Sequence, residues 1–336
     1  MISIVQLAHR HQGRRTALVE GEHLRLLSAS STVALAEKAF TAGTSLAAAA
    51  RDAATPETIP YDPVLNGNSH WRLLPPIDHP AEPARCMVAG TGLTHRASAD
   101  NRNAMHADPP SGEKPKPSDS IVMYQWGVEG GRPAPGEIGA SPEWFFKGCG
   151  STLRAHNQPL TIPSFGEDGG EEAEIAGVYW IDSNCVPRRL GFTQGNEFSD
   201  HIFEKKNYLY LASSKLRECS IGPELVLDRN YDDIAGQVRI LRGNQTMWQK
   251  SLRTGESAMC HSLANMEHHH FKFPAHRRPG DVHVHFFGAG AFSFGAGIKL
   301  QTGDIMEVSF DGMGKPLRNP LAIDSEPNQL VTVSAL

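Results

Sequence analysis

Gly169-Gly170-Glu171-Glu172-Ala173-Glu174-Ile175-Ala176-Gly177 packs three carboxylates into a short run that ends in small and apolar residues. Read as a strand, its side chains alternate faces, so Glu172 and Glu174 project from one face about 6.6 Å apart. Two carboxylates held that close repel unless a cation or a proton lies between them. Hard oxygen donors of this kind suit Mg²⁺, Mn²⁺ or Ca²⁺. The plainer reading is a solvated acidic strand edge, since charged side chains are mostly exposed.

Three further elements lie downstream. A turn at Asp182-Ser183-Asn184 leads into Gly191-Phe192-Thr193-Gln194-Gly195-Asn196-Glu197-Phe198-Ser199-Asp200, which offers a third carboxylate, Glu197. Lys215 then precedes Cys219-Ser220-Ile221-Gly222-Pro223. Last come Gly303-Asp304-Ile305-Met306-Glu307-Val308, Gly312-Met313-Gly314 and Asn319-Pro320. Asp304 and Glu307 fall at a strand start, where they are expected to shape a turn and face solvent.

Short apolar runs broken by Gly, Pro and Asn mark residues beyond about 85 as β-rich. They include Cys86-Met87-Val88-Ala89-Gly90, Ile121-Val122-Met123-Tyr124, Leu225-Val226-Leu227 and Gly236-Gln237-Val238-Arg239-Ile240, all expected as strands. Before them, Met1–Leu7 reads as a first strand. Ala17-Leu18-Val19 and Leu24-Arg25-Leu26-Leu27 flank Gly21 as a hairpin, and alanine-rich residues 31–54 read as one amphipathic helix capped by Ser31 or Thr32. Residues 106–119 are polar and carry Pro109-Pro110, Pro115 and Pro117, as an exposed loop or lid would.

The chain of 336 residues is 40% hydrophobic and 21% charged, enough for a sizeable core. A formal charge of −5 with no basic block argues against nucleic acid or an anionic membrane as a partner. Met1–Leu7 lacks the features of a signal peptide, and no apolar run has the length of a membrane span. Five dispersed cysteines without a CxxC pair argue against a disulfide framework or thiolate zinc. A cytoplasmic location is expected.

In their order, the four elements resemble the fumarylacetoacetate hydrolase superfamily. Its members carry a Glu-x-Glu strand, a Gly-Tyr-Thr-x-x-Asn-Asp-x-Ser stretch, a lysine before a Gly-Pro turn, and a closing Gly-Asp-x-x-Glu-Val with Gly-x-Gly and Asn-Pro. The resemblance covers roughly residues 85–322. It implies an α+β, β-rich fold: a mixed β-sandwich or roll over residues 81–336 and a small N-terminal α/β domain over residues 1–80. It also implies a homodimer. Glu172 and Glu174 match the metal-binding glutamates, and Glu197 falls where the family has aspartate. Pro142-Glu143-Trp144-Phe145-Phe146-Lys147 resembles the family's Pro-x-x-Phe-x-Lys strand, which makes Lys147 a candidate for binding a substrate carboxylate. Lys215 sits near the family's active-site lysine. Phe287-Gly288-Ala289 occupies the Gly-Thr-Pro neighbourhood, so the backbone at Gly288 is a substrate-binding candidate, together with Thr94 and Asn196.

Two departures bear on activity. The hydrolases open with Gly-Leu-Asn-Tyr-x-x-His-x-x-Glu, whose His and Glu activate water. Here Gly92-Leu93-Thr94-His95-Arg96-Ala97-Ser98-Ala99-Asp100-Asn101 puts Ser98 and Asn101 at those places. His201 replaces the arginine that follows the metal aspartate. Both losses argue against C–C hydrolysis and point to a lyase branch resembling 2-keto-3-deoxy-pentonate dehydratases. A 2-oxo sugar acid would chelate Mg²⁺, acting as a Lewis acid, through its carboxylate and keto oxygens. A base would remove a C3 proton, the C4 hydroxyl would leave, and tautomerisation would give 2-oxoglutarate semialdehyde. Lys215 with a lowered pKa is the expected base, and His95 the next acid–base candidate. The alternatives are hydrolysis of a β-diketo acid, or binding of a metal and sugar acid without turnover.

The remaining motifs read as structural. His268-His269-His270 falls at a helix end or loop. His283 and His285 share a strand face but have no partner at metal-ligand spacing. Gly288-Ala289-Gly290 and Gly295-Ala296-Gly297 do not join a strand to a long helix, so no nucleotide loop is expected.

Overall fold

The computed structural model describes residues 1–106 and 117–336. The stretch read as a lid, residues 106–119, lies mostly outside the described residues.

The Glu-x-Glu run leads into the strand Ala173–Ile181, which is buried along its whole length. Its small and apolar residues let both faces be covered, as a central strand requires. Pro187–Asn196 pairs antiparallel on one side and Val282–Phe286 antiparallel on the other. Val282–Phe286 in turn runs parallel to Cys86–Gly92, and Glu143–Cys149 closes that edge. On the far side, Leu225–Val226 links Pro187–Asn196 to the N-terminal strand Ser3–His9, so the leading residues extend the same large sheet. The hairpin about Gly21 forms as expected, from Gly13–Glu20 and His23–Leu27.

A second sheet has the order Gln245–Thr254, Ile234–Arg242, Ile305–Phe310, Leu317–Ile323, Leu160–Ile162. Ile175, Phe192 and Val226 from the large sheet share one apolar cluster with Ile234, Val238, Val308, Phe310 and Leu317 from the second. Sheet on sheet around a common core is the layering expected of a sandwich.

Three expectations need correction. Ile121–Tyr124 is not a strand but part of the helix Asp119–Gly130, which Ser118 caps by accepting from the Ile121 amide. An apolar run of four cannot by itself distinguish strand from helix. The single helix over 31–54 is two, Thr32–Thr41 and Leu46–Asp52. Gly43 breaks it with a φ of 64°, and Ser45 caps the second piece. Asp304 and Glu307 do not face solvent: both are buried. Arg242 grips Asp304 with two bonds of 2.8 Å, while Arg239 and Arg318 from flanking strands hold Glu307.

The histidines gather beside Cys86–Gly92 and Val282–Phe286. His270, inside the helix Leu263–Phe271, accepts from Trp144 Nε1 at 3.1 Å. Trp can only donate, so neutral His270 carries its proton on Nε2 and donates to His283 Nδ1 at 3.0 Å. His285 Nε2 meets Thr91 Oγ1 at 2.6 Å. Burial pushes His283 down to about 4 and His285 to about 3, so both are neutral at pH 7. No helix among the described residues is long and apolar enough to cross a membrane.

Candidate metal centre

One strand pairing assembles the carboxylates. The register sets Ala173 against Asn196 and Glu174 against Gly195, and the Glu197 amide donates to the Glu172 carbonyl at 2.9 Å. Glu172 therefore sits just before one strand and Glu197 just after its partner. Glu172, Glu174 and Glu197 are all buried, and one carboxylate oxygen from each lies within 4.8 Å of the others.

Two buried lysines meet them. Lys215 Nζ lies 2.6 Å from Glu172 Oε1 and 2.6 Å from Glu197 Oε2, and Lys147 Nζ lies 2.7 Å from Glu197 Oε1. Three carboxylates thus face two ammoniums. Glu174 is the one left over: among the described residues its carboxylate accepts only the Gly288 amide, at 2.7 Å. Burial, then the carboxylates of Glu197 and Glu172, push Glu174 well above the usual range. Glu172 goes the other way, because Lys215 and His201 outweigh its burial. An all-oxygen set with one uncompensated carboxylate fits a hard divalent cation and does not fit a thiolate-loving one.

The expectation of a lowered pKa for Lys215 is corrected. Burial works in that direction, but Glu172 and Glu197 override it and hold the ammonium well above its ordinary value. Lys215 donates in this setting. Lys147 points at Glu197 and at the Phe198 carbonyl, not into open space. Asn196 accepts the Glu172 amide at 3.2 Å, beneath the carboxylates. Thr94 Oγ1 donates to the Phe287 carbonyl at 2.7 Å, next to the Gly288 amide that grips Glu174. His95, the second acid–base candidate, lies between Thr94 at 2.9 Å and Thr254 at 3.1 Å, and burial drops it to about 4, so its imidazole is neutral at pH 7.

Gly288 has a φ of 97°, and a Cβ there would lie 2.1 Å from Thr94 Oγ1. Gly288→Ala is therefore expected to turn its amide away from Glu174, weakening Mn²⁺ binding about tenfold or more. Isothermal titration would check this, and an unchanged dissociation constant would contradict it.

A small pocket opens beside Glu172, lined by Ser98, Arg102, His201, Glu204 and Phe292. Ser98 thus faces the site from the helix Arg96–His106, where the hydrolases carry their histidine. Sequence reasoning missed Arg102, Glu143 and Glu204. Arg102 pairs with Glu143 and Glu204 at 2.6 Å each, with all three buried, and Tyr208 donates to Glu143 at 3.0 Å. Glu143 stood in the quoted Pro-x-x-Phe-x-Lys motif, and its place beside Lys147 was the available signal. Arg102→Met should cost about 3 kcal/mol by stranding two buried carboxylates. Adding Glu143→Gln and Glu204→Gln should restore most of that loss in urea unfolding. A triple variant as unstable as Arg102→Met would contradict the charge account.

No family model matches the sequence, and no curated protein matches it. Solved structures do. One is a 2-keto-3-deoxy-D-arabinonate dehydratase complexed with magnesium and 2,5-dioxopentanoate, 18% identical, with 96% of this chain and 100% of that chain covered and a TM-score of 0.71. Another is a 2-hydroxyhepta-2,4-diene-1,7-dioate isomerase from Mycobacterium marinum, 16% identical, covering 97% of this chain and 100% of that one with a TM-score of 0.59. At such identities the likeness is one of fold: this chain has the fold of those dehydratases and isomerases, the fold that its resemblance to the fumarylacetoacetate hydrolase superfamily implies.

Proposed function

We propose that this chain is a divalent-metal-dependent lyase of the fumarylacetoacetate hydrolase superfamily that dehydrates a 2-keto-3-deoxy sugar acid. The first candidate is a 2-keto-3-deoxy-pentonate, which would lose its C4 hydroxyl and one C3 proton as water and tautomerise to 2,5-dioxopentanoate. The observation that carries this reading is the trio of buried glutamate oxygens within 4.8 Å of one another. Its support in substrate chemistry is the dehydratase of like fold that is complexed with magnesium and that same dioxo acid.

Glu172, Glu174 and Glu197 would hold the cation, with Mg²⁺ first and Mn²⁺ or Ca²⁺ as alternatives. A bound Mg²⁺ supplies Lewis-acid polarisation of the substrate's 2-oxo group. The other roles belong to the chain's own groups. Lys215 and Lys147 fix Glu172 and Glu197 and offset their charge. Asn196 and the Gly288 amide set the remaining ligand geometry from behind. Ser98, Arg102 and Glu204 line the small space beside Glu172, which as it stands has room for little more than a water molecule. The division at residue 80, a cytoplasmic location and the homodimer belong to the same proposal, and exposed Phe165, Leu209 and Leu216 support the last.

The test is a product assay. Purified protein with Mg²⁺ is given each enantiomer of 2-keto-3-deoxy-pentonate, coupled to a semialdehyde dehydrogenase. Product from one enantiomer, lost with EDTA, is expected. No product from either, with cleavage of an acylpyruvate instead, would replace the lyase reading by the hydrolase one.

A further inference from the structure

Glu171 belongs to the same acidic run as Glu172 and Glu174 but turns away from them. Its carboxylate is fully buried and receives both donors of Ser293, the amide at 2.6 Å on Oε1 and the hydroxyl at 2.7 Å on Oε2. Two charge-assisted bonds from one residue fix that residue in position and orientation. On either side of Ser293 stand Phe292 and Phe294, and both rings stack on the His201 imidazole. The centroid distances are 5.2 Å and 5.0 Å, with interplanar angles of 9° and 27°.

A further wall of the slot is backbone. A Cβ placed on Gly170 would lie 2.7 Å from His201 Cε1 and Nδ1, so only glycine allows the ring to sit where it does. Asp168 Oδ2 lies 3.6 Å from Nδ1 on the same side. Held in this way, His201 directs Nε2 at Glu172 Oε1, 3.2 Å away. Lys215 takes the same oxygen at 2.6 Å. With Oε1 engaged twice, Oε2 is the Glu172 oxygen left for a ligand.

We propose that Phe292-Ser293-Phe294, tied down by Glu171, is a clamp that fixes His201 on Glu172, which makes Glu171, Gly170 and Phe294 positioning residues for the metal centre. The inference rests on the metal reading above and goes beyond it in assigning work to a carboxylate that is not a ligand. Outer groups of this kind matter because a ligand free to rotate must be ordered when the cation binds.

The experiment measures Mn²⁺ dissociation constants by titration calorimetry for the wild type, Glu171→Ala, Gly170→Ala, His201→Ala and the Glu171→Ala/His201→Ala pair. Each single variant should bind about 10- to 100-fold more weakly. The pair should bind no more weakly than His201→Ala alone, because Glu171 acts through His201. Glu171→Ala within about twofold of wild type, or losses that multiply in the pair, would overturn the clamp. If Glu171→Ala does not fold, Phe294→Leu takes its place in the same cycle. Imidazole NMR of the metal-free proteins separates the two readings. A wild type that binds no Mn²⁺ removes the metal reading. The His201 ring signals then decide the clamp: sharp in wild type and averaged in Glu171→Ala and Gly170→Ala upholds it, whereas identical signals in all three sink it.

Discussion

Glu174→Gln is expected to abolish metal-dependent stabilisation and turnover while making the metal-free protein more stable than wild type. The two effects have opposite signs for one reason. Glu174 is a buried carboxylate beside two others, and no basic side chain among the described residues pairs with it. A cation turns that repulsion into attraction, whereas an amide removes it altogether. The glutamine also keeps an oxygen for the Gly288 amide. At 100 times its dissociation constant Mg²⁺ should stabilise the wild type by about 2.7 kcal/mol. For 336 residues that is roughly 4 °C in Tm. The variant should show no Mg²⁺ shift and should melt above wild type in EDTA. A retained shift would remove Glu174 from the ligand set, and a lower Tm in EDTA would contradict the account of its charge.

Acid should unfold the protein early, through the histidines. His283 and His285 have an ordinary value of 6.5 when unfolded and are pushed by burial to about 4 and about 3 when folded. A lowered histidine favours the folded state only while neutral. Its contribution is therefore complete above pH 6.5 and is lost as the pH falls toward 4. At pH 5 each of the two has lost about 2 kcal/mol, or about 4 kcal/mol together. His270, also pushed down by burial, adds to the loss, because its Nδ1 can no longer accept from Trp144 once protonated. Asp281 works weakly against the fall at His283, and Glu171, Glu174 and Glu197, all raised by burial, take up protons as the pH falls and offset part of the loss of stability. Urea midpoints at pH 7, 6 and 5 should drop steeply in wild type and less in His283→Gln. Equal slopes would exclude the cluster as the cause.

What could be read from the chain follows physical range. Glu172, Glu174 and Glu197 were legible because strand alternation and a short motif place them, and the pairing of two neighbouring strands does the rest. The central strands were legible from their apolar runs. Arg102 was not, because its partners Glu143 and Glu204 lie 41 and 102 positions away on other elements, and nothing local marks a helix arginine as buried. Asp304 and Glu307 misled for the same reason, since the arginines that neutralise them come from adjoining strands. Lys215 was found in the right place but with the wrong charge balance. Burial alone would lower it, and only the two glutamates at 2.6 Å reverse the sign.

The parallel pairing of Cys86–Gly92 with Val282–Phe286 joins segments nearly 200 residues apart. Closing so long a loop must precede any gain from the contact, so this step is slow. The Gly288 amide that completes the Glu174 environment lies just beyond that late strand. A cation can therefore find its full set of contacts only after the sheet has closed. Added Mg²⁺ should slow unfolding and leave the refolding rate nearly unchanged, acting as a lock on the finished molecule and not as a template for its assembly.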